Sequence, residues 1–226
     1  LMAVVPMIAT SVFIAGERPQ CLMHSALNST GSTAVRPAIA LFSASFFSAV
    51  GIEMSYTGSI STEGVAAMDA GTVDVGFTDE IPKPLPPDAL VVPVVANALS
   101  IAYHIPLLGR TGATLNLTVP LVARLFTGNI SDWLHPAILT LNPALAAAAA
   151  ASPGASSPIL RVVRPAGSGV SRTLLEEGFG FSRVASWADV EVQGAAPAVV
   201  VSSNALVPIE VAWRPGAVGY FAGLDT

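Results

Sequence analysis

The sequence predicts an α/β protein with a mostly parallel sheet covered by helices. Strand and helix patterns alternate in a β-α-β-α-β order over the first hundred residues, which is typical of parallel sheets. Hydrophobic residues make up 52% and charged residues 11% of the 226 residues. A disordered chain needs the reverse balance, so this composition indicates a packed core. A chain of this length can form one large domain or two small ones.

The first part of the chain predicts strands and helices in alternation. The apolar stretch 1–15 contains a proline and is short for a bilayer, so a strand is expected there and no segment is expected to span a membrane. Apolar residues at helical spacing predict a helix at 37–50. Glycine breaks and a serine cap then separate the next three elements: a strand at 52–56, a helix at 61–70 and a strand at 72–79.

A proline-rich loop at 81–88 leads into the second part. Strands are expected at 89–97, 99–106, 159–165 and 216–223, and helices at 118–128 and 170–179. The alanine-rich stretch 141–158 favours a helix that ends in a flexible loop. The segment 204–213 is compatible with either a helix or a strand.

Three loops place small and hydroxyl residues just before a predicted helix, around Thr33, Ser61 and Ser168. A helix N-terminus presents unpaired N–H groups with partial positive charge, which suit an oxyanion. Each loop alone is explained as well by helix capping, because Ser and Thr are favoured caps. Arg164 precedes the third loop and offers a planar fork of donors for phosphate or carboxylate. The three loops together with this arginine predict an anion site.

Asp79 ends a predicted strand among these donors. A carboxylate repels a dianion unless a proton lies between them, so Asp79 favours hydrogen phosphate over sulfate. The alternative for Asp79 is an ordinary cap or turn role.

Other kinds of site have little support in the sequence. The net charge is −5 and Lys83 is the one lysine, which argues against a nucleic-acid surface. His24, His104 and His135 lack metal-ligand spacing. The segment 167–171 does not meet the Gly-x-Ser-x-Gly pattern of a serine nucleophile. Neither an enzyme nor a cofactor is therefore expected.

Three Asn-x-Ser/Thr sequons, at Asn28, Asn116 and Asn129, are typical of secreted glycoproteins. Turn or cap chemistry is their alternative explanation. Cys21 is the one cysteine, so no internal disulfide is expected. We expect a secreted, extracellular or cell-surface protein.

Five segments resemble the phosphate-binding protein of ABC-type phosphate importers: GSTAVRPAIA, YTGSISTEGVAAMDAGTVDVGFTD, LFTGNISDW, LNPAL and RPAGSGVS. The resemblance begins near Leu27, and the spacing from Thr33 through Ser61 to Asp79 matches the family without a gap. It implies a two-lobed, Venus-flytrap-like α/β fold that closes around dehydrated phosphate. The implied phosphate contacts are Thr33, Ala34 (through its N–H), Ser61, Asp79, Arg164, Ser168, Gly169 and Val170 (through its N–H).

The chain departs from the family pattern at three positions of the site. Val170 and Ala166 stand where the family usually has a threonine and an arginine-orienting aspartate, and Glu63 adds negative charge to the second loop. A lost charge-assisted hydrogen bond is worth roughly 1.5–3 kcal/mol, so affinity is expected to fall by one or two decades. Val170→Thr is expected to tighten binding by about 1 kcal/mol.

The order of segments also departs from the family. Residues 1–26 resemble the family's C-terminal strand, although they precede the first loop here. The chain is therefore expected to be a slice of a tandem array or a circular permutation. The expected lobe I comprises 1–98 with 219–226, and lobe II comprises 99–218.

Two functions follow from these patterns. The first is binding of inorganic phosphate between the lobes. The alternative is an extracellular structural or surface-assembly module in which ligand binding is weakened or lost. Its partners would be neighbouring copies of the domain or other extracellular proteins.

Overall fold

The computed structural model describes residues 5–15, 26–80, 89–181 and 198–223, so Cys21 and the predicted loop 81–88 lie outside the described residues. The described strands form one mixed sheet in the order β3-β2-β4-β1-β5-β8-β6-β7. Their bounds are β1 Val5–Ala15, β2 Ala26–Ser32, β3 Glu53–Ser59, β4 Val75–Thr78, β5 Ala89–Tyr103, β6 Leu160–Val163, β7 Ala198–Val200 and β8 Ala217–Gly223.

The sheet has two parallel groups joined by antiparallel strands. In the N-terminal half, by which we mean the described residues of 5–80, β2 runs parallel to β3 and β4. In the C-terminal half, the described residues of 104–223, β6 runs parallel to β7 and β8. Strand β1 is antiparallel to β4 and β5, and β5 is antiparallel to β8. The predicted parallel character therefore holds within each half.

Strand β5 connects the halves, and the prediction of two separate strands here is wrong. Its first part pairs with β1 up to Leu99, and its last part, from Ala98 to Tyr103, pairs with β8. Pro93 lies inside the first of the two predicted strands, and proline cannot donate to a ladder. The pairing with β1 shifts register beside Pro93, and such an irregularity accommodates the missing N–H. The predicted lobe boundaries stay a prediction.

Helices cover the sheet and connect its strands. Their bounds are α1 Arg36–Val50, α2 Ser61–Asp69, α3 Pro106–Gly109, α4 Val119–Phe126, α5 Pro136–Leu139, α6 Pro143–Ala150, α7 Gly169–Thr173 and α8 Leu206–Trp213. The helices predicted at 37–50, 61–70 and 118–128 are confirmed, and the ambiguous segment 204–213 is helical. The helix predicted at 170–179 is α7 followed by a π-helical turn, Leu174–Gly178.

The C-terminal half contains the larger core. Trp133, Phe126 and Tyr220 are fully buried there, packed with aliphatic side chains of α4, α5, α6 and β8. The indole N–H of Trp133 donates to the Gly216 carbonyl at 2.9 Å, so the buried nitrogen is paired.

The N-terminal half has a small core under α1, formed by Val35, Ile39, Met54 and Phe77. The outer side of α1 stays exposed, and Leu41 is 76% accessible. An apolar groove of about 590 Å³ lies between α1 and strands β2 to β5. Segment Thr33–Val50 is long and apolar enough to cross a membrane by length and composition, although no segment was expected to span one.

Candidate functional site

Strands from the two parallel groups, three from the N-terminal half and one from the C-terminal half, end between the two halves. Strands β2, β3, β4 and β6 lead into the segments that carry Thr33, Ser61, Asp79 and Arg164. All four of these residues are buried. Ligand sites in such sheets lie beyond the carboxyl ends of the strands, so the fold places the predicted residues where a site is expected.

The Asp79 carboxylate, 4% exposed, lies at the centre of the N-terminal part of this site. Its Oδ2 accepts a hydrogen bond from the Ser61 hydroxyl at 3.1 Å and a second, short one from the Ser32 hydroxyl. The Asp79 N–H donates to Ser61 Oγ at 3.3 Å. Buried carboxylates need such donors, and here both hydroxyls come from segments of the N-terminal half.

Two glycines of the third loop bring the C-terminal half against these groups. The Gly169 N–H donates to Ser61 Oγ at 3.3 Å, and the Gly167 carbonyl accepts from the Thr62 N–H at 3.3 Å. A Cβ on Gly169 would lie 2.5 Å from Ser61 Oγ, and one on Gly167 would lie 2.3 Å from Thr62 Oγ1. Gly167 also has a φ of 81°, a conformation that favours glycine. The close approach of the halves therefore requires glycine at both positions.

Arg164 reaches from the C-terminal half to the first loop. Its Nη2 donates to Thr33 Oγ1 at 3.2 Å, and its Nη1 donates to the Val201 carbonyl at 2.9 Å. Burial lowers the pKa of Arg164, while the charges of Tyr220 and Asp79 act in the opposite direction. A guanidinium stays protonated at physiological pH even so, which makes Arg164 a fixed buried cation.

The Thr33 hydroxyl receives a second donor from the C-terminal half, the Asn204 N–H at 3.0 Å. The Asn204 side chain is held by the backbone of Ala222 in β8, to which it both donates and accepts. Asn204 was not predicted from the sequence. It lies 171 residues from Thr33, and no local pattern connects the two.

The other predicted residues take varied positions. Ser168 is buried beside Gly169, at the N-cap of α7. The Ala34 N–H donates to Ser32 Oγ at 3.2 Å. Val170 packs in the apolar core of the C-terminal half. Glu63 is exposed in the first turn of α2. The ligand contacts assigned to these residues, and the effect of Val170→Thr, stay predictions.

Sequence reasoning also missed Ser32, although a signal was present. Ser32 is the last residue of β2 and directly precedes Thr33 in the first loop. Ser32 and Thr33 are adjacent hydroxyl residues before the predicted helix 37–50, and only Thr33 was assigned to the site.

An ion pair joins the halves near the site. Arg172 of α7 lies 2.9 Å from the Glu80 carboxylate, which follows β4. Burial raises the pKa of Glu80, and the neighbouring Arg172 counteracts this rise. The pair was not predicted, because its members are close only once the halves meet.

The three sequon asparagines, Asn28, Asn116 and Asn129, are exposed. Their glycosylation stays a prediction. Within the described ranges, no group of His, Cys, Asp or Glu side chains is arranged to hold a metal ion.

Comparison with known proteins gives relatives in sequence and in fold. The phosphate-binding protein PstS of Xylella fastidiosa is 32% identical over 123 residues, which is 53% of this chain and 33% of that protein. The PstS3 protein of Mycobacterium bovis is 29% identical over 141 residues, covering 57% of this chain and 36% of that protein. The matched region thus spans about a third of the length of these relatives.

Two solved structures share the fold. A phosphate-binding protein from Stenotrophomonas maltophilia superposes with a TM-score of 0.60 at 17% identity, covering 88% of this chain and 60% of its own. An ABC-type phosphate transport receptor from Vibrio cholerae gives a TM-score of 0.54 at 19% identity, covering 87% and 70%. The predicted two-lobed α/β fold and the resemblance to phosphate-binding proteins are confirmed. The model of the PBP superfamily domain matches residues 19–222, and the chain therefore belongs to the PBP superfamily.

Proposed function

We propose that the chain binds inorganic phosphate, as hydrogen phosphate, between its two halves, and that it is a binding protein without enzymatic activity. The proposal rests on one observation: a buried cation, buried hydroxyls and a buried carboxylate lie together at the carboxyl ends of four strands. Arg164, Thr33, Ser61 and Asp79 come from four separate segments. Arg164 donates to Thr33, and Ser61 donates to Asp79 and accepts from the Gly169 N–H of the C-terminal half.

The donors of this site suit a tetrahedral anion. Thr33 Oγ1 accepts two N–H bonds, from Arg164 and Asn204, so its own hydrogen is directed elsewhere and suits an anion oxygen. Arg164 supplies the positive charge that a buried anion requires. Phosphate would enter by exchanging the direct bonds between the halves for bonds to its own oxygens.

Asp79 determines which anion the proposed site should prefer. A buried carboxylate among donors can accept a hydrogen bond from a protonated anion, and it repels one that has no proton. Phosphate near neutral pH retains a proton, whereas sulfate does not. The site should therefore prefer phosphate to sulfate.

The names of the relatives agree with this proposal. The curated relatives from Xylella fastidiosa and Mycobacterium bovis are named as phosphate-binding proteins, and a further solved relative is described as a periplasmic phosphate-binding protein bound with phosphate. We infer a location outside the cytoplasm for this chain as well. The exposed sequons are compatible with that location.

Calorimetric titration of refolded, phosphate-stripped protein tests the proposal. Wild type should bind phosphate with micromolar or tighter affinity, and Arg164→Ala should weaken binding at least a hundredfold, because it removes the buried cation. Arg110→Ala is the matched control, since Arg110 is an exposed residue at the end of α3. No heat with wild type at millimolar phosphate would contradict the proposal.

A second function, a surface-assembly module, is favoured by the exposed apolar face of α1. Exposed apolar patches of this kind mark surfaces that contact other molecules. This function predicts self-association or binding to other extracellular proteins, irrespective of phosphate. Sedimentation at increasing protein concentration, with and without phosphate, separates it from the first function.

A further inference from the structure

Ser32 places a hydroxyl against the Asp79 carboxylate inside the candidate site. The residue is 3% exposed and ends strand β2. Its Oγ donates to Asp79 Oδ2 in a short hydrogen bond. Ser32 is therefore a partner of Asp79, although it was not among the predicted ligand contacts.

The direction of this hydrogen bond is fixed by the backbone. The Ala34 N–H donates to Ser32 Oγ at 3.2 Å, so one lone pair of the hydroxyl is occupied and its hydrogen faces Asp79. Ser61 is arranged in the same way, because its Oγ accepts the N–H groups of Asp79 and Gly169 while donating to Oδ2. Two oriented hydroxyls therefore donate to a single carboxylate oxygen.

The position of Ser32 is itself well fixed. Strand β2 pairs in parallel with β3 as far as Ser32, which lies opposite Ser59. The Tyr56 hydroxyl donates to the carbonyls of Gly31 and Ser32, which holds the end of the strand. The hydroxyl of Ser32 is presented to Asp79 by rigid backbone.

We propose that Ser32 is a positioning residue that holds Asp79 as an ionised acceptor and thereby sets the preference of the site for an anion that carries its own proton. The inference rests on the proposed phosphate site. Hydrogen bonds to the charged form of a carboxylate favour that form. Each hydroxyl on Oδ2 therefore makes it harder for Asp79 to carry the proton that sulfate would need.

Groups from several elements share the surroundings of Asp79. They are Tyr56 from β3, Glu80 next in the chain and Arg164 beyond β6, each of which interacts electrostatically with Asp79. A substitution at Ser32 leaves all three unchanged. A difference in pH dependence between wild type and a Ser32 variant therefore reports on the removed hydroxyl.

The experiment measures the dissociation constants of inorganic phosphate and sulfate by calorimetry, from pH 5 to pH 8. Ser32→Ala should raise sulfate affinity relative to phosphate about tenfold, the effect of losing one hydrogen bond to a charged group. Sulfate binding by this variant should also persist to higher pH than in wild type. Ser32→Thr keeps the hydroxyl and should keep the wild-type ratio.

Ser29→Ala is the matched control. Ser29 is equally buried in β2, and its hydroxyl donates to the Ser55 carbonyl and not to Asp79. Its loss should leave the ratio of the two constants unchanged. Thermal unfolding without anion shows which variants are folded. If Ser32→Ala is unfolded, Ser32→Cys takes its place, because it is a smaller change that keeps a weaker donor. Its ratio should lie between the wild-type ratio and the tenfold change expected of Ser32→Ala.

The outcomes separate the two proposals. If wild type binds phosphate and the Ser32→Ala ratio does not change, the inference about Ser32 is wrong and the phosphate site stands. If Ser32→Ala weakens the binding of both anions equally, Ser32 has a merely structural role, and this result also overturns the inference. If wild type binds neither anion, both proposals fail.

Discussion

The two halves of the molecule differ in how completely they bury their apolar side chains. The C-terminal half surrounds Trp133 and Phe126 with a large core, while the N-terminal half has a small core of Val35, Ile39, Met54 and Phe77 under α1. Both halves nevertheless deliver buried groups to the site with hydrogen-bond geometry. The site geometry therefore depends on strand ends and loop contacts more than on the amount of core beneath them.

The exposed face of α1 follows from its sequence. Ser43, Ser45 and Ser48 all donate their hydroxyls to carbonyls four residues earlier in the helix. Serines bonded in this way leave a helix with little polar character on its surface. A helix that is apolar on all sides is typically covered by protein or lipid, so α1 has more apolar surface than its own half can bury.

Truncation of the C-terminal core should have the largest effect on stability. Trp133→Ala removes a fully buried indole and its bond to Gly216, and we expect a loss of about 3–5 kcal/mol in the free energy of unfolding. Urea denaturation measures it. Trp213→Ala is the control, because Trp213 belongs to the same half and is 81% exposed. A similar cost for both would contradict the contrast between core and surface.

Loss of the ion pair between the halves should have a smaller, pH-dependent effect. Without Arg172, the pKa of Glu80 should rise further, because burial is then less opposed. When folding raises the pKa of a carboxyl, the protein loses stability as the pH rises from the pKa of that carboxyl in the unfolded state to its pKa in the folded state. Arg172→Ala should therefore cost about 0.5–1 kcal/mol at pH 7, and less below pH 4.5, where Glu80 takes up a proton.

Unfolding free energies at pH 4 and pH 7 test this expectation. Arg214→Ala serves as the control, since the pair of Arg214 with Glu210 lies at the C-terminal end of α8 and is more exposed. A cost for Arg172→Ala that is equal at both pH values would show that Glu80 does not sense Arg172.

Substitution on the exposed face of α1 should have the smallest effect on stability. Phe42 is half exposed, so Phe42→Ser should change the free energy of unfolding by no more than about 0.5 kcal/mol. On the proposed surface-assembly function, self-association measured by sedimentation should also decrease. Ile39→Ser on the buried side of the same helix should be strongly destabilising. A large loss from Phe42→Ser would mean that this face is packed in solution.

Much of the fold and part of the site could be predicted from the sequence. Helix α1 and strand β4 follow from periodicity and glycine breaks. Thr33 and Ser61 follow from their places just before predicted helices, and Asp79 follows from its place at the end of a predicted strand. The continuity of β5 from Asn97 into Leu99 could not be predicted, since it depends on pairing with β1 along one part and with β8 along the other. Asn204 could not be predicted either, because its contact with Thr33 is entirely tertiary.

The exposure of α1 was beyond sequence reasoning for a related reason. Periodicity shows which residues share a face, and it does not show how many faces other elements cover. Segment Thr33–Val50 has the length and composition of a membrane-crossing helix, and only the fold shows that it also covers strands at one end of the sheet.

Strand β5 has a mechanical consequence. It pairs with β1 along its first part and with β8 along its last, and the two ladders overlap at Leu99. A change in the angle between the halves must bend or twist this strand, because it is hydrogen-bonded to β1 or β8 where it passes from one half to the other. Deformation of β5 should therefore oppose any change in the angle between the halves with an elastic restoring force, and the motions of the two halves should be coupled through this strand.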